Sequence, residues 1–163
     1  LEFRRVLFRS LGGFRSALEM GLADEMFKRK TAEDIDDLRF ICRFMHEAAY
    51  SREAFYQSEI RFHRKLIEIT GNQMAIWLWQ MLEPFFILIS PIKVPVPDEI
   101  LNKHDRIMKC MANDDREGFI REMEKHHLHK IPWDSERYSA DFLDPLYTKT
   151  GQSGDKAKSA KKT

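Results

Sequence analysis

The sequence predicts an all-α fold, an antiparallel bundle of six to seven helices. Apolar residues recur at helical spacing for about 120 residues, and no run alternates as a half-buried strand does. Cap and stop signals cut this pattern into pieces of ordinary helix length. At 163 residues the chain is long enough to bury one core.

The first helix is expected over roughly 13–29. Thr31 with Asp34 forms a capping box that opens a second, about 31–48, whose apolar positions are Ile35, Leu38, Cys42, Met45 and Ala49. A third runs from about 52 to 70 and stops at Gly71–Asn72. The fourth continues to about 90, followed by a loop carrying Pro91, Pro95 and Pro97. Asp98 is placed to cap a fifth, 98–112. Asp114 with Glu117 reads as a second capping box, opening a sixth helix that Pro132 ends near Ile131. Residues 133–147 suit one short packing helix. The fourth segment, MAIWLWQMLEPFFILISPI, is apolar enough to raise the question of a membrane. Gln80, Glu83 and Pro84 interrupt it, and neither flank is long enough to span, so a central bundle helix kinked at Pro84 or one buried in a subunit interface is expected.

Two cysteines, Cys42 and Cys110, exclude a disulfide scaffold and a Cys-rich zinc module, and fit a cytoplasmic setting. The net charge of +1 hides an uneven distribution. Residues 149–163 carry +4 and residues 1–10 carry +2, which leaves 11–148 at −5. An acidic body is a poor surface for nucleic acid, whose phosphates need cations. The opening LEFRRVLFRS reads as the translation of a sequencing-adapter oligonucleotide, and 1–10 is set aside as non-native. The domain is therefore expected over 11–148, with 149–163 a disordered Lys-rich tail.

Three of the six histidines fall on apolar stripes. Glu59 and His63, four apart, share a face with Phe55, Leu66 and Ile69. His104 lies among Ile100, Leu101, Ile107, Met108 and Met111, and His126 follows Phe119, Ile120 and Met123. His104 and His126 are equidistant from the turn at Asn113–Asp115, so in an antiparallel helix pair they stand level. With Glu59 and His63 from a third helix, three imidazoles and a carboxylate can converge, a donor set suited to Zn, Ni, Fe or Mn. Each histidine also has a plain reading as a hydrogen-bonded core residue. His46, His127 and His129 are read as surface histidines.

The pieces FRSALE (14–19), EIRFHRKLIEITGN (59–72), KHDRIMKCMANDD (103–115) and MEKHHL (123–128) carry a resemblance. From about 14 to 129 the chain resembles the FCD domain, the all-helical C-terminal domain of GntR-type transcription regulators in the FadR subfamily. The family's order is an acid, Phe-His, Gly-Asn, a His, and a second His 22 residues later. By this resemblance Glu59, His63, His104 and His126 are the ligands of one divalent transition metal, zinc or nickel first among the choices, and Arg15 holds an effector carboxylate. The family usually carries Asp where this chain has Glu59, and His-Leu where it has His-His-Leu.

The resemblance implies an effector-sensing and dimerisation domain rather than an enzyme. A small organic acid would enter the bundle, bind the metal and pair with Arg15, and so shift a homodimer between two arrangements. DNA would be contacted only through a winged helix-turn-helix domain missing from this chain. Phe62, Trp77, Trp79 and Phe85 are candidate walls of the effector cavity. Two other readings use the same residues: a mononuclear metal-dependent hydrolase, and a metal-free helical interaction module. A di-iron bundle needs two Glu-x-x-His motifs, and only Glu124–His127 fits. His46–Glu47 opens like a zinc-protease helix, but Tyr50 stands where the second His belongs.

Overall fold

The computed structural model describes residues 2–89 and 94–127, with side chains from residue 10 onward except 87–89. Among these residues every regular element is a helix: α1 (Glu2–Gly21), α2 (Ala23–Arg29), α3 (Ala32–Glu47), α4 (Arg52–Ile69), α5 (Gln73–Ile89), α6 (Asp98–Ala112) and α7 (Arg116–His127). A single 3₁₀ turn, Ala48–Tyr50, joins α3 to α4. The expected short helix over 133–147, the end of the sixth helix at Ile131, the tail 149–163 and His129 lie outside the described residues.

Local chemistry explains most boundaries. The Thr31 box closes in both directions: Asp34 N donates to Thr31 Oγ1, and Thr31 N donates to Asp34 Oδ2. Ser51 caps α4 by accepting from Ala54 N. Gly71, at φ +64°, takes the left-handed position that ends α4. The helices α3 and α4 pack on one another, α6 lies against α3 and α7, and α5 lies against α4. At its N-terminal end α1 closes the bundle, touching α7, α5 and α2. Met26, Leu38, Met45, Phe55, Phe62, Leu66, Ile67, Ile107, Met111, Phe119 and Met123 form a core out of contact with water.

The structure corrects four expectations. The first helix is two, bent at Leu22, and α1 starts at Glu2 instead of 13, so the segment set aside as non-native continues it. Hydrogen bonds from Leu22 N to Leu18 O and from Met26 N to Leu22 O carry the helical period across the bend, which is why the apolar pattern does not reveal it. Asp98 is the first residue of α6, not its cap; Pro97 holds that position with no side-chain bond. At α7 the cap is Asp115, whose Oδ1 accepts from Gly118 N at 2.8 Å. Asp114 instead turns the chain, at φ +57°, and pairs with Lys30. Finally, α5 is not central. Ala75, Trp79 and Phe86 face inward, while Met74, Trp77, Met81 and Phe85 are exposed along its outer side. No helix among the described residues is long and apolar enough to cross a membrane.

The capping assignment has a direct consequence. Asp115→Ala is expected to lower stability by about 1 kcal/mol in urea unfolding, whereas Asp114→Gly, at a left-handed and exposed position, is expected to be neutral or slightly stabilising.

Candidate metal centre

The hairpin of α6 and α7 brings His104 and His126 face to face, with ring centroids 4.6 Å apart. From α4, His63 completes a triangle, 5.4 Å from His104 and 4.9 Å from His126. One turn earlier on α4, Glu59 adds a carboxylate. One ligand atom from each of Glu59, His63, His104 and His126 lies within 4.8 Å of all the others. All four residues singled out by their spacing are thus neighbours in space. Arg15, carried over by resemblance alone, sits among them.

Two of the rings, His63 and His104, have no exposed surface. Burial is the main reason that His63, His104 and His126 are held below the usual histidine range, with the Arg15 guanidinium adding to it in each case. At neutral pH the three are therefore uncharged and keep a lone pair, the form a metal ion takes.

The hydrogen bonds say which nitrogen is free. His104 Nδ1 donates to Ile100 O at 3.1 Å, so Nε2 carries the lone pair, and it has no partner. Arg15 Nη2 donates to His126 Nε2 at 3.1 Å. Since arginine has only donors, the His126 proton sits on Nδ1, which is also unpartnered. Both nitrogens of His63 lack an aligned partner. Buried polar atoms without partners are few in native proteins and call for a reason. The unpartnered lone pair of His104 Nε2 and the unpartnered nitrogens of His63, beside the Glu59 carboxylate, fit a divalent cation bound by nitrogen and oxygen, which would take His126 Nε2 in place of Arg15.

Sequence reasoning missed Glu19, the most buried charge in the site. This carboxylate has no exposed surface. Its Oε1 is 2.9 Å from His63 Nδ1, out of line with the N–H, and 3.3 Å from Arg15 Nε. His127 Nε2 donates to its Oε2 at 2.9 Å. Burial opposes its ionisation, but His63, Arg15 and the bond from His127 outweigh burial and hold the carboxyl well below the usual range. His127 is accordingly not a surface residue; its side chain is 9% exposed. The signal was present in FRSALE, where Arg15 and Glu19 stand four apart on one helical face. His46, as expected, is partly exposed, and pairs with Asp105 at 2.8 Å.

The walls also differ from expectation. Phe62 packs edge-on against His63 and His104, and Trp79 stacks beside His63. Trp77 and Phe85 point outward, and Phe86 takes the place expected of Phe85. The reason is helical phase, because Trp79 and Phe86 are seven apart on the inner stripe. The Arg15 guanidinium lies over both rings, 5.8 Å from Trp79 and 5.7 Å from Phe86.

Arg15 also reaches Glu59 Oε1, at 3.4 Å, so one cation is shared between two carboxylates. Arg15→Met is expected to destabilise the metal-free protein by roughly 3 kcal/mol in chemical denaturation, because Glu19 would be left buried without its guanidinium partner.

Comparison with known proteins agrees with this architecture. The family described as FCD domain matches residues 11–129. Among solved structures, a GntR protein of Streptococcus agalactiae has a similar fold, with a TM-score of 0.66 at 19% sequence identity. The alignment covers 78% of this chain and 59% of that one, so this chain spans less than two thirds of that relative's length. No curated protein matches the chain.

Proposed function

The chain belongs to the FCD domain family, and from that premise we propose that it is the effector-sensing and dimerisation domain of a GntR-type transcription regulator. In this reading Glu59, His63, His104 and His126 hold one divalent transition metal, zinc or nickel first among the choices. A small organic acid is the effector, and it modulates DNA binding by a winged-helix domain of the whole regulator. The observation that carries the reading is the four-residue cluster, whose ligand atoms lie within 4.8 Å of one another.

When bound, the metal would supply an electrophilic site for a carboxylate oxygen. The remaining chemistry belongs to the chain. Arg15 offers a planar fork of donors suited to a carboxylate. It already spends these donors on Glu19, Glu59 and His126. An effector would therefore compete for a guanidinium that is positioned but engaged. Trp79 and Phe86 flank it and leave its side chain 13% exposed, and this low exposure strengthens a charge-assisted contact. No role as a catalyst is proposed.

For the homodimer we propose the outer face of α5. Met74, Trp77, Met81 and Phe85 run along it and are 68%, 57%, 52% and 45% exposed. The polar neighbours Gln73 and Gln80 are uncharged. A second copy can therefore pack the same stripe against it across a two-fold axis without like-charge repulsion.

Two measurements test the proposal. The untagged chain is expected to bind about one zinc or nickel ion per molecule, and His104→Ala to lose it; no metal on the wild type after incubation with either ion overturns the site. In light scattering the wild type is expected at twice the chain mass and Trp77→Glu at the monomer mass, since burying a charge in an apolar interface is costly. A monomeric wild type overturns the dimer.

A further inference from the structure

Glu19 is the group the proposed function leaves without a task. It is a fully buried carboxylate in contact with two imidazoles and a guanidinium, yet it is not one of the four residues whose ligand atoms converge. An ionised carboxylate is expensive to bury, and a bundle core offers many apolar residues that would fill the volume at no such cost. Its contacts show what it acts on. Of the three converging rings, His104 has its far nitrogen tied to the Ile100 carbonyl, which directs Nε2 inward. His63 has no carbonyl in that position; the atom standing 2.9 Å from its Nδ1 is Glu19 Oε1.

We propose that Glu19 is the positioning residue of the metal centre: its negative charge, 2.9 Å from His63 Nδ1, favours the tautomer with the proton on that nitrogen, so that Nε2 is the nitrogen offered to a metal. This rests on the reading of Glu59, His63, His104 and His126 as ligands. A carboxylate behind a ligating histidine has this effect wherever it occurs, and removing such a partner costs about 10–100-fold in metal affinity. The second oxygen of Glu19 accepts from His127, which turns toward the site instead of to solvent and fixes the carboxylate from α7. That bond gives the His-His pair at 126–127 a division of labour: the first ring joins the cluster, and the second holds the carboxylate that orients His63.

The test uses the full untagged chain and zinc alone. Competition with a chromophoric chelator is expected to give Glu19→Gln a Kd about 10–100-fold above the wild type, at one ion per chain in both. In parallel, ¹⁵N-histidine NMR of the zinc-loaded wild type is expected to show His63 protonated at Nδ1 and metal-bound at Nε2. That measurement needs no variant, and so decides the matter even if Glu19→Gln fails to fold. Wild-type affinity retained in Glu19→Gln, or His63 bound through Nδ1, overturns the role of Glu19 while leaving the metal centre intact. A wild type that takes up no zinc overturns the metal centre, and this inference with it.

Discussion

Glu19 has no exposed surface and remains ionised, which in a medium of low polarity costs several kcal/mol unless other charges and donors surround it. Everything packed around it answers that cost. Arg15, one turn earlier on α1, supplies the opposite charge, and the same guanidinium serves Glu59 on α4 and His126 on α7. His127 supplies a second donor from α7. The contacts are mutually dependent, since Arg15 without its carboxylates would itself be a charge held against Trp79 and Phe86. This polar knot draws three helices to one point, while α5 gives it an aromatic wall. The surrounding apolar core stabilises the bundle in the ordinary way, and α1 joins it through Leu11, Leu18 and Met20.

The hairpin of α6 and α7 provides the register. Asp114 takes the left-handed turn and Asp115 caps the next helix, so the number of residues between His104 and His126 becomes a fixed placement of one ring opposite the other. A residue added to or removed from that turn would rotate α7 by about 100° and send one ring out of the cluster. The two rings differ in how they are held. His104 is fixed by its own helix, through Ile100, whereas His126 is engaged by Arg15. One ring is thus preorganised by local backbone, and the other is held by a contact that a metal ion would have to replace.

Much of this was legible in the sequence, for physical reasons that also mark where legibility stops. Helical period and level spacing about a turn are local properties, so α3, α4 and α6 and the meeting of His63, His104 and His126 could be read from the residues. The bend at Leu22 leaves the helical hydrogen bonds running across it and so leaves no trace in the apolar pattern. The outward face of α5 was unreadable because large apolar residues occupy both sides of the helix, and composition does not say which side is covered; Trp77 and Trp79 look alike in sequence and lie on opposite sides. The choice between Asp114 and Asp115 turns on one backbone dihedral. Glu19 was hidden for a different reason. An Arg and a Glu four apart on a helix are usually a solvated pair, and only the docking of α1 against α5 and α7 converts them into buried charges.

That docking gives α1 a particular position in the proposed sensor. It contributes no ligand to the cluster, yet both of its charged inner residues contact cluster members, Glu19 at His63 and Arg15 at Glu59 and His126. Any change in the charge of the cluster is therefore felt first by α1. A cation held by the four cluster residues would repel the Arg15 guanidinium and draw on Glu19, and an incoming carboxylate would do the reverse. The helices α3, α4 and α6 also pack on one another through Leu38, Leu66, Ile107 and Met111, an apolar contact that involves none of the cluster residues that α4 and α6 carry. The bundle thus joins an apolar frame to one helix, α1, whose seat combines apolar contacts at Leu11, Leu18 and Met20 with the exchangeable charge contacts of Arg15 and Glu19. A sensor needs an element of the second kind, because only a contact that a ligand can exchange for another lets binding select between arrangements.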